Sequence, residues 1–261
     1  MSEDEFETKN YIDLIETILH KTEMSERFNS GWGVRLRLAT MEGAAESAAH
    51  HYLLSALTPI RYMPPVGGWS MQYQVIASLV DYILNTEIEN PLIVELGSGV
   101  STSWLALALE KIGKGRLISV DHDPRYKKIT EYTLKKLGLC EYVDIVLAEL
   151  TETSGLGNNQ KWYDLNEINR YLSNEELIDL LVVDGPPGNE GPKSRFPAFP
   201  VLRRKLADNS MVVLDDTDRG EEQRIIDNWI EECSHSHKDG QLAMHESIGR
   251  STWLKYSMHQ T

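Results

Sequence analysis

The sequence predicts an α/β protein: a mostly parallel, Rossmann-like sheet with helices on both faces, preceded by a helical N-terminal extension. Three observations predict it. From Ser70 onward, short aliphatic runs alternate with stretches of helical period, the pattern of successive βαβ units. The first run, Leu92–Leu96, passes into the turn Gly97-Ser98-Gly99, whose glycines let the backbone bend tightly and approach a ligand before a helix opens. The next strand, Arg116–Val120, ends in Asp121, 24 residues after Gly97. That is close to the spacing at which βαβ nucleotide sites place the acid that holds ribose hydroxyls.

The elements follow in order. Residues 1–68 read as a helical extension, distinct from the domain expected over 69–261. Tyr11, Ile12, Leu14, Ile15, Ile18 and Leu19 make an amphipathic stripe, and the alanine-rich run Ala39–Leu57 stops before Thr58-Pro59. These helices either cap a pocket or pair two copies of the chain as a homodimer. Tyr62–Ser70 holds too much proline and glycine for a regular helix and is either a linker or an ordered lip. A helix carrying Val75, Ile76, Leu79, Val80, Ile83 and Leu84 precedes the Leu92–Leu96 strand.

Ser101 or Thr102 is expected to cap the following helix, which runs through Trp104–Ile112 to Gly113. Asp123 caps a further helix beginning at Pro124 and ending before Gly138. Then come strand Tyr142–Leu147, a long polar insertion over Thr151–Asn174, strand Asp179–Val183, a helix over Pro197–Ala207 and strand Ser210–Leu214. A helix through Ile225, Ile226, Trp229 and Ile230 leads to a closing hairpin, Leu242–Ser247 and Thr252–Ser257, around Gly249-Arg250. The insertion carries Gly155, Gly157, Asn158 and Asn159, then Trp162-Tyr163-Asp164. The two aromatics either form a stacking wall for an acceptor or pin the loop to the core.

Composition narrows the function. The 261 residues carry a net charge of −14, which disfavours a nucleic-acid partner. Lys127-Lys128, Lys135-Lys136 and Arg203-Arg204-Lys205 read as solvated helix faces. No apolar run reaches membrane-spanning length and the acidic N-terminus is unlike a secretory signal, so a cytoplasmic protein without membrane attachment is expected. Cys140 and Cys233 form neither a disulfide framework nor a metal cluster. His235-Ser-His237 and His50-His51 read as surface or packing histidines.

In open parallel sheets ligands bind beyond the carboxyl ends of the strands, near the point where strand order reverses. The chemically suggestive residues fall at such ends: Glu95 to Ser101, Asp121 with His122, Ala148 with Glu149, Asp184, and Asp215-Asp216. Adjacent strands lie about 5 Å apart, so Asp184, Asp215 and Asp216 can converge. Crowded carboxylates repel unless protonated or joined by a hard cation such as Mg²⁺. Asp123 rather than Asp121 is the helix cap. Lys193 is a candidate base and Arg195 a candidate for orienting an anionic substrate, with Asp218 and Arg219 near the same mouth.

Glu95 bears on which cofactor the turn serves. A dinucleotide site would want a small residue where Thr102 stands and an apolar one at Glu95. Glu95-Leu-Gly-Ser-Gly99, Val120-Asp121-His-Asp123 and Leu181-Val-Val-Asp184-Gly-Pro-Pro-Gly188 instead resemble motifs of class I S-adenosylmethionine-dependent methyltransferases, over roughly Trp69 to the C-terminus. Ser101 stands where that family usually has a third glycine. The resemblance implies a seven-stranded sheet with one antiparallel strand. It also implies cofactor contacts from Glu95, Gly97, Ser98, Gly99, Ser101, Thr102, Asp121, His122, Ala148 and Asp184.

Trp162-Tyr-Asp-Leu165, Arg195-Phe-Pro-Ala-Phe-Pro200 and Leu214-Asp-Asp-Thr-Asp-Arg219 are similar to bacterial O-methyltransferases related to the macrocin and catechol types. This implies that Asp184, Asp215 and Asp216 hold Mg²⁺ and that Asp184 and Asp215 take part in methylating a small-molecule or carbohydrate hydroxyl. Lys193, from its place in the loop after Asp184, is either the base of that reaction or an exposed lysine without a role. The competing readings are a metal-independent methyltransferase, a non-catalytic S-adenosylmethionine-binding module and an NAD-linked oxidoreductase.

Overall fold

In the computed structural model of the protein, the described residues are 31–58, 70–152, 161–173, 175–235 and 240–258. The Tyr11–Leu19 stripe, the glycine and asparagine run at 155–159, His237 and all of the expected lip except Ser70 lie outside them. The chain divides into two units, Met1–Ala48 and Ala49–Thr261. Of the first, only helix is described, the leading part of α1 (Gly31–Ala56). The second holds the sheet. Within it, Leu53 and Leu57 join a core cluster with Val75, Ile76 and Leu79 of α2 (Tyr73–Leu84).

The sheet is built from β1 (Leu92–Leu96), β2 (Arg116–Asp121), β3 (Val143–Leu147), β6 (Ile178–Val183), β7 (Leu206–Leu214), β8 (Gln241–Ile248) and β9 (Ser251–Ser257). A separate ribbon pairs β4 (Leu150–Glu152) with β5 (Lys161–Tyr163). The seven strands lie in the order β3-β2-β1-β6-β7-β9-β8, with β9 antiparallel to both neighbours. Strand order therefore reverses between β1 and β6, where Leu96 pairs with Val183. This is the expected doubly wound sheet with its single antiparallel strand.

Strand alternation feeds two cores. Val94, Leu96, Val120, Leu181, Val183 and Leu214 pack with Phe199 of α6 (Ala198–Leu202) and Trp229 of α7 (Gly220–His235). Ile93, Leu117, Leu180, Val182 and Val213 pack with Trp104 and Leu105 of α3 (Val100–Ile112) and with α2. Glu95 lies on this second face, the one acid within the wholly buried β1. Asp123 caps α4 (Pro124–Leu137) by accepting from the Arg125 amide at 2.8 Å, with Pro124 in the first turn, as the sequence indicates.

Two expectations need correction. The helix predicted over Pro197–Ala207 is shorter: α6 ends at Leu202, a 3₁₀ turn spans Arg203–Lys205, and β7 has begun at Leu206 opposite Ile178. The backbone at Leu206 finds a sheet partner in Ile178 instead of continuing the helix. The Thr151–Asn174 insertion is not simply a polar loop. Its described part holds β4, β5 and α5 (Leu165–Asn169), the last capped by Asp164 through the Asn166 amide at 2.9 Å. Trp162 is fully buried, so it pins the segment to the core rather than stacking on an acceptor.

A candidate active site at the carboxyl edge of the sheet

The turn after β1 is shaped from below. Glu95 is 0% exposed, and its carboxylate accepts from three hydroxyls: Ser101 to Oε1, and Thr102 and Ser119 to Oε2, each at 2.6 Å. Burial raises its pKa, and the three hydroxyls work in the opposite direction. Ser101 and Thr102 are thus not the helix caps expected. Gly99 is the N-cap of α3, and its N–H donates to Thr102 Oγ1 at 2.8 Å. Glu95 and Thr102 are fully buried beneath the loop and fix it.

Gly97 has φ +102, and a Cβ there would come within 3.1 Å of the Asp184 backbone. The close approach follows from the register, because the Asp184 N–H donates to the Leu96 carbonyl at 2.8 Å across the reversal point. Gly99 faces open space; a Cβ there meets nothing within 4 Å. Asp121 closes the other side of the turn. Its Oδ2 accepts from the Ser98 amide at 3.1 Å and hydroxyl at 2.7 Å, and its Oδ1 from the Asp123 amide at 2.9 Å.

A cavity of about 720 Å³ opens over these elements, within the size range of small-molecule sites. At one end its described wall includes Gly97, Ser98, Gly99, Ser101, Asp121, His122 and Tyr126. At the other it includes Asp184, Arg195, Asp215, Asp216, Arg219 and Arg250, with Ser70, Met71 and Tyr163 also on the wall. Four expected site residues lie off it: Glu95, Thr102, Ala148 and Lys193. Glu95 sits beneath the loop, and Ala148 is fully buried, with its amide on the Asp121 carbonyl. Lys193 adopts φ +50 in the turn that leads to Phe196, away from the wall. Tyr163 is the opposite case. It is buried, and its hydroxyl, which has no hydrogen-bond partner among the described residues, stands where a Cβ on Gly185 would fall. Burial and the nearby Asp121 carboxylate push that phenol well above its usual pKa.

The acids at the ends of β6 and β7 do converge: one oxygen from each of Asp184, Asp215 and Asp216 lies within 4.8 Å of the others. Asp216 takes φ +60, a left-handed conformation that aspartate tolerates. Ser251 at the start of β9 donates its hydroxyl to Asp215 Oδ1. Burial, with the neighbouring Asp215 carboxylate, raises the Asp184 pKa well above its usual range; Asp215 is also raised, chiefly by burial.

Among these acids lies the Arg195 side chain, 3% exposed. Its Nη2 donates to Asp216 Oδ2 at 2.8 Å and Asp184 Oδ1 at 3.2 Å, and its Nη1 to the Asp215 carbonyl at 2.8 Å. Burial opposes the charge on Arg195, but the three carboxylates outweigh it and raise the guanidinium pKa. Arg219 Nη1 meets Asp216 Oδ2 from the solvent side at 2.9 Å. An ion bridging Asp184 and Asp216 through those two oxygens would compete with Nη2 for the same space. The cluster as folded therefore does not fit the Mg²⁺ expected from sequence.

The cofactor expectation fares differently. A glycine cradle, the start of a helix, an anchored carboxylate and an unpartnered buried hydroxyl all face one cavity, a donor set suited to a polar adenosyl ligand. Arg250 and Ser251 escaped the sequence reading because the closing hairpin reads as edge structure. The tie that brings them in, the Thr217 amide on the Arg250 carbonyl at 2.6 Å, links residues 33 apart.

A family model described as a methyltransferase domain matches residues 94–217. No curated protein matches the sequence. Among solved structures, the S-adenosylhomocysteine-bound methyltransferase PaMTH1 of Podospora anserina superposes with a TM-score of 0.56 at 11% identity, covering 87% of this chain and 97% of that one. The O-methyltransferase TomG of Streptomyces achromogenes, in complex with S-adenosylmethionine, gives 0.51 at 16% identity, over 90% of this chain and 100% of that one. Cofactor-bound Rv0187 from MTB gives 0.51 at 14% identity, over 83% and 91%. At these identities the likeness is one of fold. Among the described residues, no helix is long and apolar enough to cross a membrane.

Proposed function

We propose that this chain transfers a methyl group from S-adenosylmethionine to a hydroxyl of a small-molecule or carbohydrate acceptor. The match of residues 94–217, which include the strand ends that build the cavity, to a family model described as a methyltransferase domain supports this reading. The observation that carries this reading is the continuity of one cavity from the Gly97–Gly99 turn to the carboxylate cluster at Asp184, whose N–H donates to the Leu96 carbonyl beside the turn.

Gly97, Gly99 and the amides opening α3 would hold the polar part of the cofactor, and Asp121 its ribose hydroxyls. His122 and Tyr126 offer ring faces on the same side. When bound, S-adenosylmethionine supplies an electrophilic methyl carried on a cationic sulfur, which departs as a neutral thioether. Asp184 takes the acceptor's hydroxyl proton on a carboxylate oxygen as the acceptor oxygen bonds to carbon. Its raised pKa suits it to hold that proton. Arg195 and Ser251 fix the cluster so that two reactants meet in one orientation, the source of much of the rate in a two-substrate transfer. Lys193, off the cavity wall, has no part in this scheme.

The test is label transfer from methyl-labelled S-adenosylmethionine to a panel of phenols, catechols and glycosides. Transfer to a hydroxyl, lost in Asp184→Asn with cofactor binding retained, supports the reading. Transfer to amines alone overturns the acceptor class.

A further inference from the structure

We infer that the Arg195 guanidinium is the resident cation of the Asp184–Asp215–Asp216 cluster, occupying the place a divalent ion would take, so that methyl transfer at this site needs no metal. The inference deepens the proposed function and rests on that reading of the cavity.

Three buried or half-buried carboxylates within 4.8 Å of one another need a counter-charge. A planar guanidinium supplies it with donors pointing in several fixed directions. Here one nitrogen reaches carboxylate oxygens on two different strand ends, and another reaches the Asp215 backbone carbonyl. An ion bound by Asp184 Oδ1 and Asp216 Oδ2 would have to expel the nitrogen that now bridges them.

Expulsion is opposed by the backbone on both sides of Arg195. The Ser194 hydroxyl donates to the Pro186 carbonyl at 3.0 Å, and the Phe196 carbonyl accepts from the buried Trp229 indole N–H at 2.8 Å. The Ala198 amide also donates to the Arg195 carbonyl at 3.2 Å. The side chain is thus launched into the cluster from a tethered segment. Swinging it out would strip the buried guanidinium of its carboxylate partners, a change that is costly for buried ion pairs. The remaining oxygen demand of the cluster is also met in part: Ser251 binds Asp215, and Arg219 binds Asp216.

A guanidinium cannot act as a Lewis acid on the acceptor oxygen as a metal would. It instead sets the geometry and charge of the carboxylates, which makes Arg195 a positioning residue and leaves proton removal to the cluster itself.

The experiment follows Mn²⁺ by electron paramagnetic resonance in the full-length protein, alone and with S-adenosylmethionine, beside an Asp215→Asn variant. Cofactor binding is measured by calorimetry on the same samples. The wild type and Asp215→Asn should leave the free Mn²⁺ signal equally unchanged, and methyl transfer should survive EDTA. Arg195→Gln, with the bridging nitrogens gone, should bind Mn²⁺ in a manner abolished by adding Asp215→Asn. Wild-type Mn²⁺ binding that disappears in Asp215→Asn, or activity lost to EDTA and restored by Mg²⁺, overturns the inference while leaving the methyltransferase reading intact. Should Arg195→Gln fail to fold, the wild-type and Asp215→Asn comparison still decides. Absence of cofactor binding in the wild type would instead overturn the underlying reading, and this inference with it.

Discussion

Glu95 and Ser119 face each other in register across β1 and β2, and the Ser119 hydroxyl donates to the Glu95 carboxylate at 2.6 Å. With Ser101 and Thr102 of α3 on the same carboxylate, one buried acid ties two strands to the helix that follows the glycine turn. The acid is therefore part of the loop's foundation.

Removing it should unfasten the loop. Glu95→Ala strands three hydroxyls in a dry interior and is expected to cost roughly 3 kcal/mol or more in urea unfolding. Glu95→Gln keeps the shape and an acceptor and should cost less.

The same residue gives stability a pH dependence of known sign. Its folded pKa is raised above 4.5 by burial, so between the ordinary carboxylate range and the raised folded value the native state binds more protons than the unfolded one. Stability from this group is full below that window and falls as pH rises through it. The stability of wild type relative to Glu95→Gln, from denaturation midpoints at a series of pH values, should decline as pH rises.

The two glycines of the turn should part company. Gly97→Ala puts a side chain at φ +102 against the Asp184 backbone and is expected to cost about 1–3 kcal/mol. Gly99→Ala meets open space, so its melting temperature should stay near wild type. If the cofactor occupies that space, its affinity for S-adenosylmethionine should drop.

Tyr163→Phe removes a hydroxyl that makes no hydrogen bond among the described residues. Stability should be unchanged or slightly raised, while cofactor affinity or turnover falls by about tenfold, the worth of one hydrogen bond gained only with ligand. Unchanged affinity and turnover together would remove Tyr163 from the site.

The two ends of the cavity predict a kinetic split. Asp121→Asn should weaken cofactor binding by roughly tenfold or more, from the value of hydrogen bonds to a charged acceptor. Asp184→Asn should lower kcat with cofactor Kd nearly unchanged. Isothermal titration and initial rates on both variants separate the roles.

Much of this arrangement is legible in the sequence because parallel strands deliver their last residues to one edge. The aliphatic runs ending in Asp121, Asp184 and Asp215-Asp216 fix where those acids arrive once the βαβ order is recognised, and the Asp123-Pro124 cap is local chemistry. What escaped depends on paths that periodicity does not encode. Arg195 enters the cluster because Ser194 and Phe196 are tethered to Pro186 and Trp229, contacts 8 and 33 residues away. Glu95 reads as a ligand contact because the motif places it beside the glycines; only strand alternation turns it beneath them. Trp162 in a polar stretch reads equally as a stacking wall or a pin, and the β4–β5 ribbon decides for burial.

Calorimetric titration of the wild-type protein beside Asp121→Ala and Gly99→Ala tests most directly the proposal that the glycine turn and Asp121 form the S-adenosylmethionine site. Saturable binding to the wild type that is much weakened in both variants is the predicted result. No binding to the wild type, or binding that neither substitution alters, would contradict it.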